Sequence, residues 1–412
     1  MIRPWPKLTS VALAVSLGLI MYALSLEWPP HAREPLTGFW RDDYELAVYY
    51  NRIEYFRLGQ LPNAHQLIEY PLFGVLYLTV PALVNDSFEW YRTAAVAENA
   101  LMTLLLVIVT WWLLRSFGRS AWWLLAFALP TFSYFTLYRY DAFPALFVAV
   151  ALWLLLRQRF GWSFFLLGIA VLAKGYPLML FPIWMLYWLN VSGRSTTAAF
   201  FGWPVVLVIA PTLVTLIVLS LIVGFEQALY PYAWQASRQV SHGSALVLYT
   251  DYLSSVVSPA AYATLMYVLA KGLQLLQVGL PFLLFVAQRF FRRFIQTGED
   301  VISWSLLVLL LFIQFFPYHS PQWYIWLFPW LPLFVRQRTE LWLVLAIGLV
   351  GYVEFPLAFN NFGSDSLTHT AVVLLRTVLY VALTASVVHR IFHTATTSRA
   401  TMRSDNQLAT TV

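Results

Sequence analysis

The sequence predicts an all-α polytopic membrane protein, built as a bundle of about twelve transmembrane helices. Of its 412 residues, 60% are hydrophobic and only 11% are charged. Soluble domains carry about 25% charged residues, so this composition excludes a soluble protein. The apolar segments are also long and lack the period-two alternation of barrel strands, which favours helices over a transmembrane barrel.

Twelve apolar segments are candidate spans, and the first follows a short basic start. No small-residue cleavage site follows that segment, so we expect an uncleaved span rather than a signal peptide. We predict one transmembrane domain over residues 1–390 and a disordered cytoplasmic tail over 391–412. The candidate spans are Leu8–Leu26, Tyr91–Leu114, Ala121–Leu137, Ala142–Leu156, Trp162–Ala173, Tyr176–Leu189, Ala198–Val223, Pro259–Ala287, Ile302–Phe316, Trp323–Val335, Leu341–Val353 and Thr370–Val388.

The charged loops divide into two sets when the N-terminus is placed inside. Most loop arginines then lie on the inner side, because they fall in alternate loops. Of the nineteen acids, four fall on that side, namely Glu299, Asp300, Glu340 and Asp405. This positive-inside pattern predicts a multi-pass plasma-membrane protein with both termini in the cytoplasm.

The first outer loop, residues 27–69, is long and acidic. Within "DDYELAVYYNRIEYFRLG", apolar residues recur at helical spacing, which predicts an amphipathic helix on the membrane surface, ended by Gly59. Asp42 or Asp43 is a candidate N-cap of this helix. The apolar piece that follows, Tyr70–Val84, is too short to span and would reverse every later loop. We expect it to be re-entrant or interfacial.

Four groups that carry or can carry positive charge lie on the outer side, where fixed positive charge is disfavoured: Arg139, Lys174, Arg238 and His319. One explanation is that each neutralises a neighbouring acid, as Arg139 would for Asp141. The other is that they mark a substrate path, since charges near hydrocarbon are costly and usually functional. Cations can hold a phosphate leaving group, while a carboxylate takes a proton from an attacking hydroxyl. On this hypothesis Arg139 faces a phosphate, and Asp141 orients Arg139 or binds a hydroxyl.

Four segments in order carry a resemblance: "ELAVYY…GQLPN…IEYP", "RYDAFPALFVAVALWLLLRQR", "GIAVLAKGYPLMLFPIWML" and "HSPQWYIWLFPWLPLF". Together they resemble glycosyltransferase family 87 of the GT-C superfamily, whose members look like polyprenyl-phosphate-mannose-dependent mannosyltransferases. The resemblance covers about 300 residues. It implies a GT-C-like bundle and inverting transfer of a hexose, in the first instance mannose, from a polyprenyl-phosphate donor to a hydroxyl of a lipid-linked or envelope glycan acceptor on the outer face.

The resemblance also implies roles for particular residues. The family usually has Asp four residues before the Tyr of its "VY" step, and Glu45 stands there. The family's acid is an Asp, and Asp42 and Asp43 lie just upstream of Glu45. The base is assigned to Asp43 first, then Glu45, then Asp42. The donor phosphate-binding residues are Arg139, Lys174, Arg238 and His319. The substrate-binding residues are Glu69, Tyr70, Asp141, Tyr176, His242 and Gln322.

Neither a metal nor a cofactor is predicted, because a lipid-phosphate donor carries its own leaving group. The His389–His393 pair has ligand spacing but lacks a third ligand nearby. Most tryptophans are expected at the membrane interface, although Trp40, Trp234 or Trp323 could stack on sugar rings. The predicted partners are the donor, the acceptor and the bilayer, with no nucleic acid. A secondary transporter of a small anionic or sugar substrate is the alternative, although no internal repeat is evident. A non-catalytic assembly subunit is a third possibility.

Overall fold

The computed structural model describes residues 42–60, 67–120, 123–124, 130–193, 202–238, 240, 243–244, 246, 254–286, 291, 294–364 and 366–409. These residues form helices and connecting loops, and no strand occurs among them. The all-α prediction is thus confirmed for this part of the chain. The predicted span Leu8–Leu26, part of Ala121–Leu137, and the residues Trp40 and His242 lie outside the described residues.

The acidic loop contains the predicted amphipathic helix in two pieces. Helix α1 is Asp43–Arg52 and α2 is Glu54–Arg57. The side chain of Asp42 caps α1 by accepting from the backbone N–H of Glu45 at 3.2 Å. Its apolar face, with Leu46, Tyr49 and Ile53, is buried. Gly59 ends the segment with φ of +78°, a conformation that glycine adopts without steric cost.

The short segment after this loop forms α3, Leu72–Thr79, followed by a 3₁₀ turn, Val80–Leu83. At 1.5 Å per residue the two together reach roughly 18 Å, well short of the ~30 Å of a bilayer core. The helix begins after Pro71 in extended conformation. Its re-entrant or interfacial position stays a prediction.

The first half of the bundle contains helices of very different lengths. They are α4 Phe88–Ser116, α5 Pro130–Tyr138, α6 Ala142–Leu156, α7 Phe160–Ala173, α8 Phe181–Val191, α9 Trp203–Val223 and α10 Phe225–Ser237, with a 3₁₀ turn Tyr176–Leu180 before α8. The bounds of α6 agree with the predicted span. Helix α10 was not predicted, because its polar residues interrupt the apolar pattern.

The second half ends in a long helix. Its helices are α11 Pro259–Val286, α12 Gly298–Gln314, α13 Tyr324–Leu327, α14 Leu331–Phe334, α15 Arg338–Tyr352, α16 Phe359–Phe362 and α17 Leu367–Ala409, with a 3₁₀ turn Pro321–Trp323 and a π-helical turn Val353–Ala358. The predicted span Trp323–Val335 is thus divided into short pieces. Helix α17 continues through residue 390, so the predicted domain boundary does not coincide with a helix end.

Five of the described helical segments are long and apolar enough to cross a membrane: Phe88–Ser116, Trp203–Val223, Pro259–Leu283, Arg338–Phe362 and Leu367–His393. Shorter apolar helices pack between them. This architecture is compatible with a multi-pass membrane protein, while the number of twelve spans stays a prediction.

Two layers of charged residues lie at opposite ends of the helices. One layer follows α15 and precedes α17, and it includes Glu354 and His369. The other contains Glu340, at the start of α15, paired with Arg390 of α17. Glu354 pairs with Arg376, which precedes Arg390 by 14 residues in the same helix, so at 1.5 Å per residue the two ion pairs are roughly 21 Å apart along α17.

Helices α7 and α9 approach each other closely at Gly168. A Cβ atom at this glycine would lie 2.6 Å from the carbonyl oxygen of Leu207 and 2.9 Å from that of Val208. Only a residue without a side chain fits this contact. Helix α9 then ends at Gly224, whose φ of +101° turns the chain into α10.

Candidate active site

The predicted site residues converge on one cavity of about 1110 Å³. The residues that line it come from both halves of the chain. Among them are eleven predicted site residues: Asp42, Asp43, Glu45, Glu69, Tyr70, Arg139, Lys174, Tyr176, Arg238, His319 and Gln322. Asp141 lies directly behind this lining, bonded to Lys174. The chain therefore brings together acids from the first loop and positively charged or titratable groups from four later segments.

Arg139 holds two carboxylates at the start of α1. Its Nη2 lies 2.6 Å from Oδ2 of Asp42, and its Nη1 contacts Oε2 of Glu45. Arg139 and Asp42 are almost fully buried, whereas the Glu45 side chain keeps 18% of its surface exposed. Burial raises the pKa of the Asp42 carboxyl above its ordinary value, and the guanidinium of Arg139 opposes part of that rise. One guanidinium thus fixes both acids.

Asp43 takes a different position from its two acidic neighbours. Its Oδ2 lies 3.5 Å from Nη1 of Arg92, and its side chain is 42% exposed. Arg92 also pairs with Glu89, one helical turn earlier in α4. Asp43 therefore lines the open part of the cavity beside a surface ion pair.

Asp141 pairs with Lys174, so the pairing with Arg139 suggested by the sequence is wrong. Nζ of Lys174 lies 2.5 Å from Oδ1 of Asp141, and the same oxygen accepts from Nε1 of Trp326 at 2.6 Å. The ammonium also lies over the Tyr140 ring at 4.5 Å. Burial lowers the pKa of Lys174, while Asp141 acts in the opposite direction.

Tyr176 completes this wall of the cavity. Its ring stacks on Trp326 with centroids 4.3 Å apart and planes within 5°. Its hydroxyl is buried and has no hydrogen-bond partner among the described residues. A buried hydroxyl without a partner costs about 1–3 kcal/mol, so a ligand in the cavity would gain by bonding to it.

Arg238 differs from Arg139 and Lys174 because no described carboxylate forms an ion pair with it. Its guanidinium lies 3.8 Å from the ring centroid of Trp234 and 4.1 Å from that of Tyr318. Its buried Nε has no hydrogen-bond partner, and within the described ranges no carboxylate forms an ion pair with it. The two rings fix the guanidinium by cation–π contact and leave its N–H donors to a ligand.

His319 is buried and contacts the Trp323 ring, with centroids 5.6 Å apart. Burial, reinforced by the nearby Arg376 guanidinium, holds the pKa of His319 well below its ordinary value. The imidazole is therefore neutral at neutral pH and acts by hydrogen bonding rather than as a cation. Its Nε2 has no partner among the described residues. Gln322 lies beside it and accepts from the Ser320 hydroxyl at 2.5 Å.

Glu69 and Tyr70 lie on the same side as α1. Nε of Arg52 lies 3.0 Å from Oε2 of Glu69. The Tyr70 ring contacts Tyr49 and Tyr140 edge-on, with centroids 5.7 and 5.5 Å away. Burial and the neighbouring Glu69 carboxylate raise the pKa of Tyr70 well above its ordinary value. Both residues thus connect the acidic loop to the wall formed by Lys174 and Trp326.

Sequence reasoning missed Arg52, which lines the cavity and pairs with Glu69, and two further charged residues of the site, Glu354 and Arg376. Glu354, in the π-helical turn, lines the cavity, and Arg376 of α17 pairs with it. Both interrupt apolar runs, "GYVEFPLAF" and "VVLLRTVLY". A single charge in an apolar run indicates a functional residue. This signal was visible in the sequence for both Glu354 and Arg376.

No cluster of three or more metal-ligating side chains is present in the part of the chain that the structure describes. The rings of His389 and His393 lie 5.7 Å apart in α17, far from the cavity in the helix sequence. No protein-family model matches the chain, and no curated protein matches it either.

Proposed function

We propose that the protein is an inverting GT-C-type glycosyltransferase. It transfers a hexose, in the first instance mannose, from a polyprenyl-phosphate donor to a hydroxyl of a lipid-linked or envelope glycan acceptor. The observation that carries the proposal is the convergence of the first-loop acids with Arg238, Lys174 and Tyr176 on one cavity. Such a cavity offers an acceptor for a proton and donors for a phosphate in one enclosed space.

Glu45 is the base in this proposal. Asp42 uses one oxygen to cap α1 and the other to bind Arg139, and Asp43 belongs to an exposed pair with Arg92. Glu45 binds Arg139 at one oxygen and keeps access to the cavity. It also stands at the position where the resembling family has its acid. Arg139 then acts as a positioning residue that orients Glu45.

Arg238 is the main ligand of the donor phosphate. No carboxylate among the described residues forms an ion pair with it, and planar guanidinium groups bind phosphate oxygens in a bidentate manner. The hydroxyl of Tyr176 and the neutral imidazole of His319 are additional hydrogen-bonding groups of the same cavity. Lys174 contributes positive potential, which Asp141 partly neutralises.

The reaction then proceeds as a single displacement. The acceptor oxygen attacks the anomeric carbon while the bond between that carbon and the phosphate oxygen breaks. Glu45 takes the hydroxyl proton, and the electron pair of the broken bond leaves on polyprenyl phosphate, held by Arg238. Configuration at the anomeric carbon inverts. The donor already carries its leaving group, so the scheme includes neither a metal nor a cofactor.

The same proposal includes the orientation of the protein. Twelve spans with both termini in the cytoplasm would put the cavity on the outer face of the plasma membrane, where the acidic loops fall under the positive-inside rule. The five described helical segments that are long and apolar enough to cross a membrane support a membrane-spanning arrangement.

Reconstitution into proteoliposomes tests the function. We expect vesicles with the full chain and polyprenyl-phosphate-linked radiolabelled mannose to transfer label covalently to added octyl α-mannoside. Protein-free vesicles are the control. Accumulation of free substrate inside the vesicles without covalent product would support the transporter instead and contradict the enzyme.

A further inference from the structure

The part of the cavity wall around Glu354 contains side chains that have no role in the proposed transfer reaction. Glu354 is 1% exposed and has Oε1 bound to Nη1 of Arg376. Its second oxygen, Oε2, is buried and has no partner among the described residues, although the residue lines the cavity. Leaving a charged acceptor unsatisfied costs more than the ~1–3 kcal/mol of a neutral group. A donor from a ligand would remove this cost.

The charge around Glu354 indicates what kind of ligand that is. Arg376 neutralises the carboxylate and donates a second bond, 2.5 Å long, to the carbonyl oxygen of Gly243. The pair therefore has no net negative charge with which to attract a cation. A neutral group that donates a hydrogen bond, such as a hydroxyl, fits Oε2 better.

The neighbours of Glu354 provide surfaces for a ring. Phe359 lines the cavity and is 43% exposed, and Asn360 is the next residue of the lining. The Phe355 ring lies 5.4 Å from that of Phe359 and is itself covered by Phe135 and the guanidinium of Arg139. Aromatic faces accept the C–H side of a sugar ring, while carboxylate and amide groups bond to its hydroxyls. A few polar groups among apolar ones are typical of a ligand pocket.

This wall lies next to the proposed base. The guanidinium of Arg139 lies 5.7 Å from the centroid of the Phe355 ring and also contacts Glu45. The wall around Glu354 and the proposed base Glu45 therefore adjoin the same guanidinium, so a ligand on this wall lies on the base's side of the cavity.

We propose that Glu354, Phe359 and Asn360 form the acceptor subsite, and that the acceptor presents a neutral pyranose ring whose hydroxyl donates to Oε2 of Glu354. This inference rests on the proposed function and names its acceptor as a glycan or glycolipid, rather than a hydroxyl on a protein or an alkyl chain. The Glu354–Arg376 pair also connects the π-helical turn to α17, so the test must separate binding from structure.

The test compares Glu354→Gln with Glu340→Gln in the reconstituted full chain. Glu340, near the start of α15, pairs with Arg390 of α17 through one oxygen and accepts from the backbone N–H groups of Arg336 and Gln337 with the other. It lies outside the cavity, so Glu340→Gln is a control for the structural effect of weakening a carboxylate–arginine pair to α17. The acceptors are octyl α-mannoside and n-octanol, which lacks the sugar. We expect Glu354→Gln to raise the KM for octyl α-mannoside roughly 10–100-fold, the equivalent of a lost hydrogen bond to a charged group. The KM for the donor and the rate with octanol should remain unchanged.

Two outcomes overturn the subsite: equal KM values for octyl α-mannoside in both variants, or an equal loss of activity with both acceptors in Glu354→Gln.

If Glu354→Gln does not fold, Glu354→Gln/Arg376→Met removes both buried charges and is expected to fold, with the same shift in KM. If the wild type transfers to neither acceptor, binding of methyl α-mannoside by saturation-transfer NMR decides. Weaker binding in Glu354→Gln than in Glu340→Gln supports the sugar subsite even though the transfer proposal fails, and equal binding overturns it.

Discussion

Lys174 and Asp141 form an ion pair at the wall of the cavity, with 2.5 Å between Nζ and Oδ1. Asp141 has no exposed surface, and it lies at the start of α6, whereas Lys174 ends α7. The pair thus connects two adjacent helices at the cavity end. Because Asp141 is fully buried and the Lys174 side chain keeps only 18% of its surface exposed, each charge depends on the other for compensation.

Removal of one partner of this pair should destabilise the fold. We predict that Asp141→Asn lowers the free energy of unfolding by about 3–5 kcal/mol, because Lys174 is left as a buried charge. The double variant Asp141→Asn/Lys174→Met should recover most of the loss. Unfolding by SDS titration in mixed micelles measures both values. A double variant as unstable as the single one would contradict the explanation.

The base assignment predicts different effects for two acids of α1. Glu45→Gln keeps the size of the side chain but removes its ability to take a proton, so transfer should fall roughly 10²–10⁴-fold. Asp43→Asn should change the rate little, because Asp43 belongs to a half-exposed pair with Arg92. Initial rates of mannose transfer measure both. If Asp43→Asn shows the larger loss, Asp43 rather than Glu45 is the base.

The phosphate assignment predicts a specific defect in donor binding. Arg238→Gln should raise the KM for the polyprenyl-phosphate donor roughly 10–100-fold, because a charge-assisted bond to phosphate is lost. Arg157→Gln is the matched control, since Arg157 also lies over a tryptophan ring, 5.6 Å from the centroid of Trp153, but does not line the cavity. Equal donor KM values in the two variants would remove Arg238 from the donor site.

Asp42 should make stability depend on pH in a defined direction. Because its pKa is raised in the folded state, the folded protein keeps this proton to higher pH than the unfolded chain does. Asp42 therefore lowers the free energy of unfolding by an amount that grows as pH rises from the ordinary pKa of Asp, about 3.9, to the folded-state pKa. Above the folded-state pKa this loss of stability is constant. Asp42→Asn preserves the cap, since Asn and Asp are equivalent there.

Unfolding measurements across this pH range test the effect of Asp42. We expect Asp42→Asn to equal or exceed the wild type in stability at neutral pH, with the advantage disappearing on acidification. The control is Asp43→Asn, whose side chain is half-exposed. A neutral-pH stability well below that of the wild type would show that the Arg139 pair outweighs the cost of burying Asp42.

Local patterns in the sequence predicted local structure well. The span Ala142–Leu156 agrees with α6 because charges border an uninterrupted apolar run on both sides. The cap at Asp42 and the end at Gly59 follow from short-range chemistry. The interrupted segment Trp323–Val335 was taken as one span, but its prolines divide it into short helices.

The ion-pair partners of the cavity residues were harder to predict than which residues belong to the cavity. Asp141 lies two residues from Arg139, which suggested a pair, yet its partner is Lys174, 33 residues away along the chain. Sequence proximity does not give the direction of a side chain where a helix ends and the next begins. Glu354 and Arg376 had a visible signal, but their partnership depends on how α15 and α17 pack, which periodicity alone does not specify.

The close contact of α7 and α9 at Gly168 has a consequence for Arg238, the proposed ligand of the donor phosphate. Gly168 sets how near α9 lies, α9 leads through Gly224 into α10, and α10 supplies both Trp234 and Arg238. A single methyl group added at Gly168 would therefore push α9 away from α7, and the displacement would be transmitted along α9 and α10. Substitutions remote from the chemistry could in this way reduce donor affinity without touching any group that contacts it.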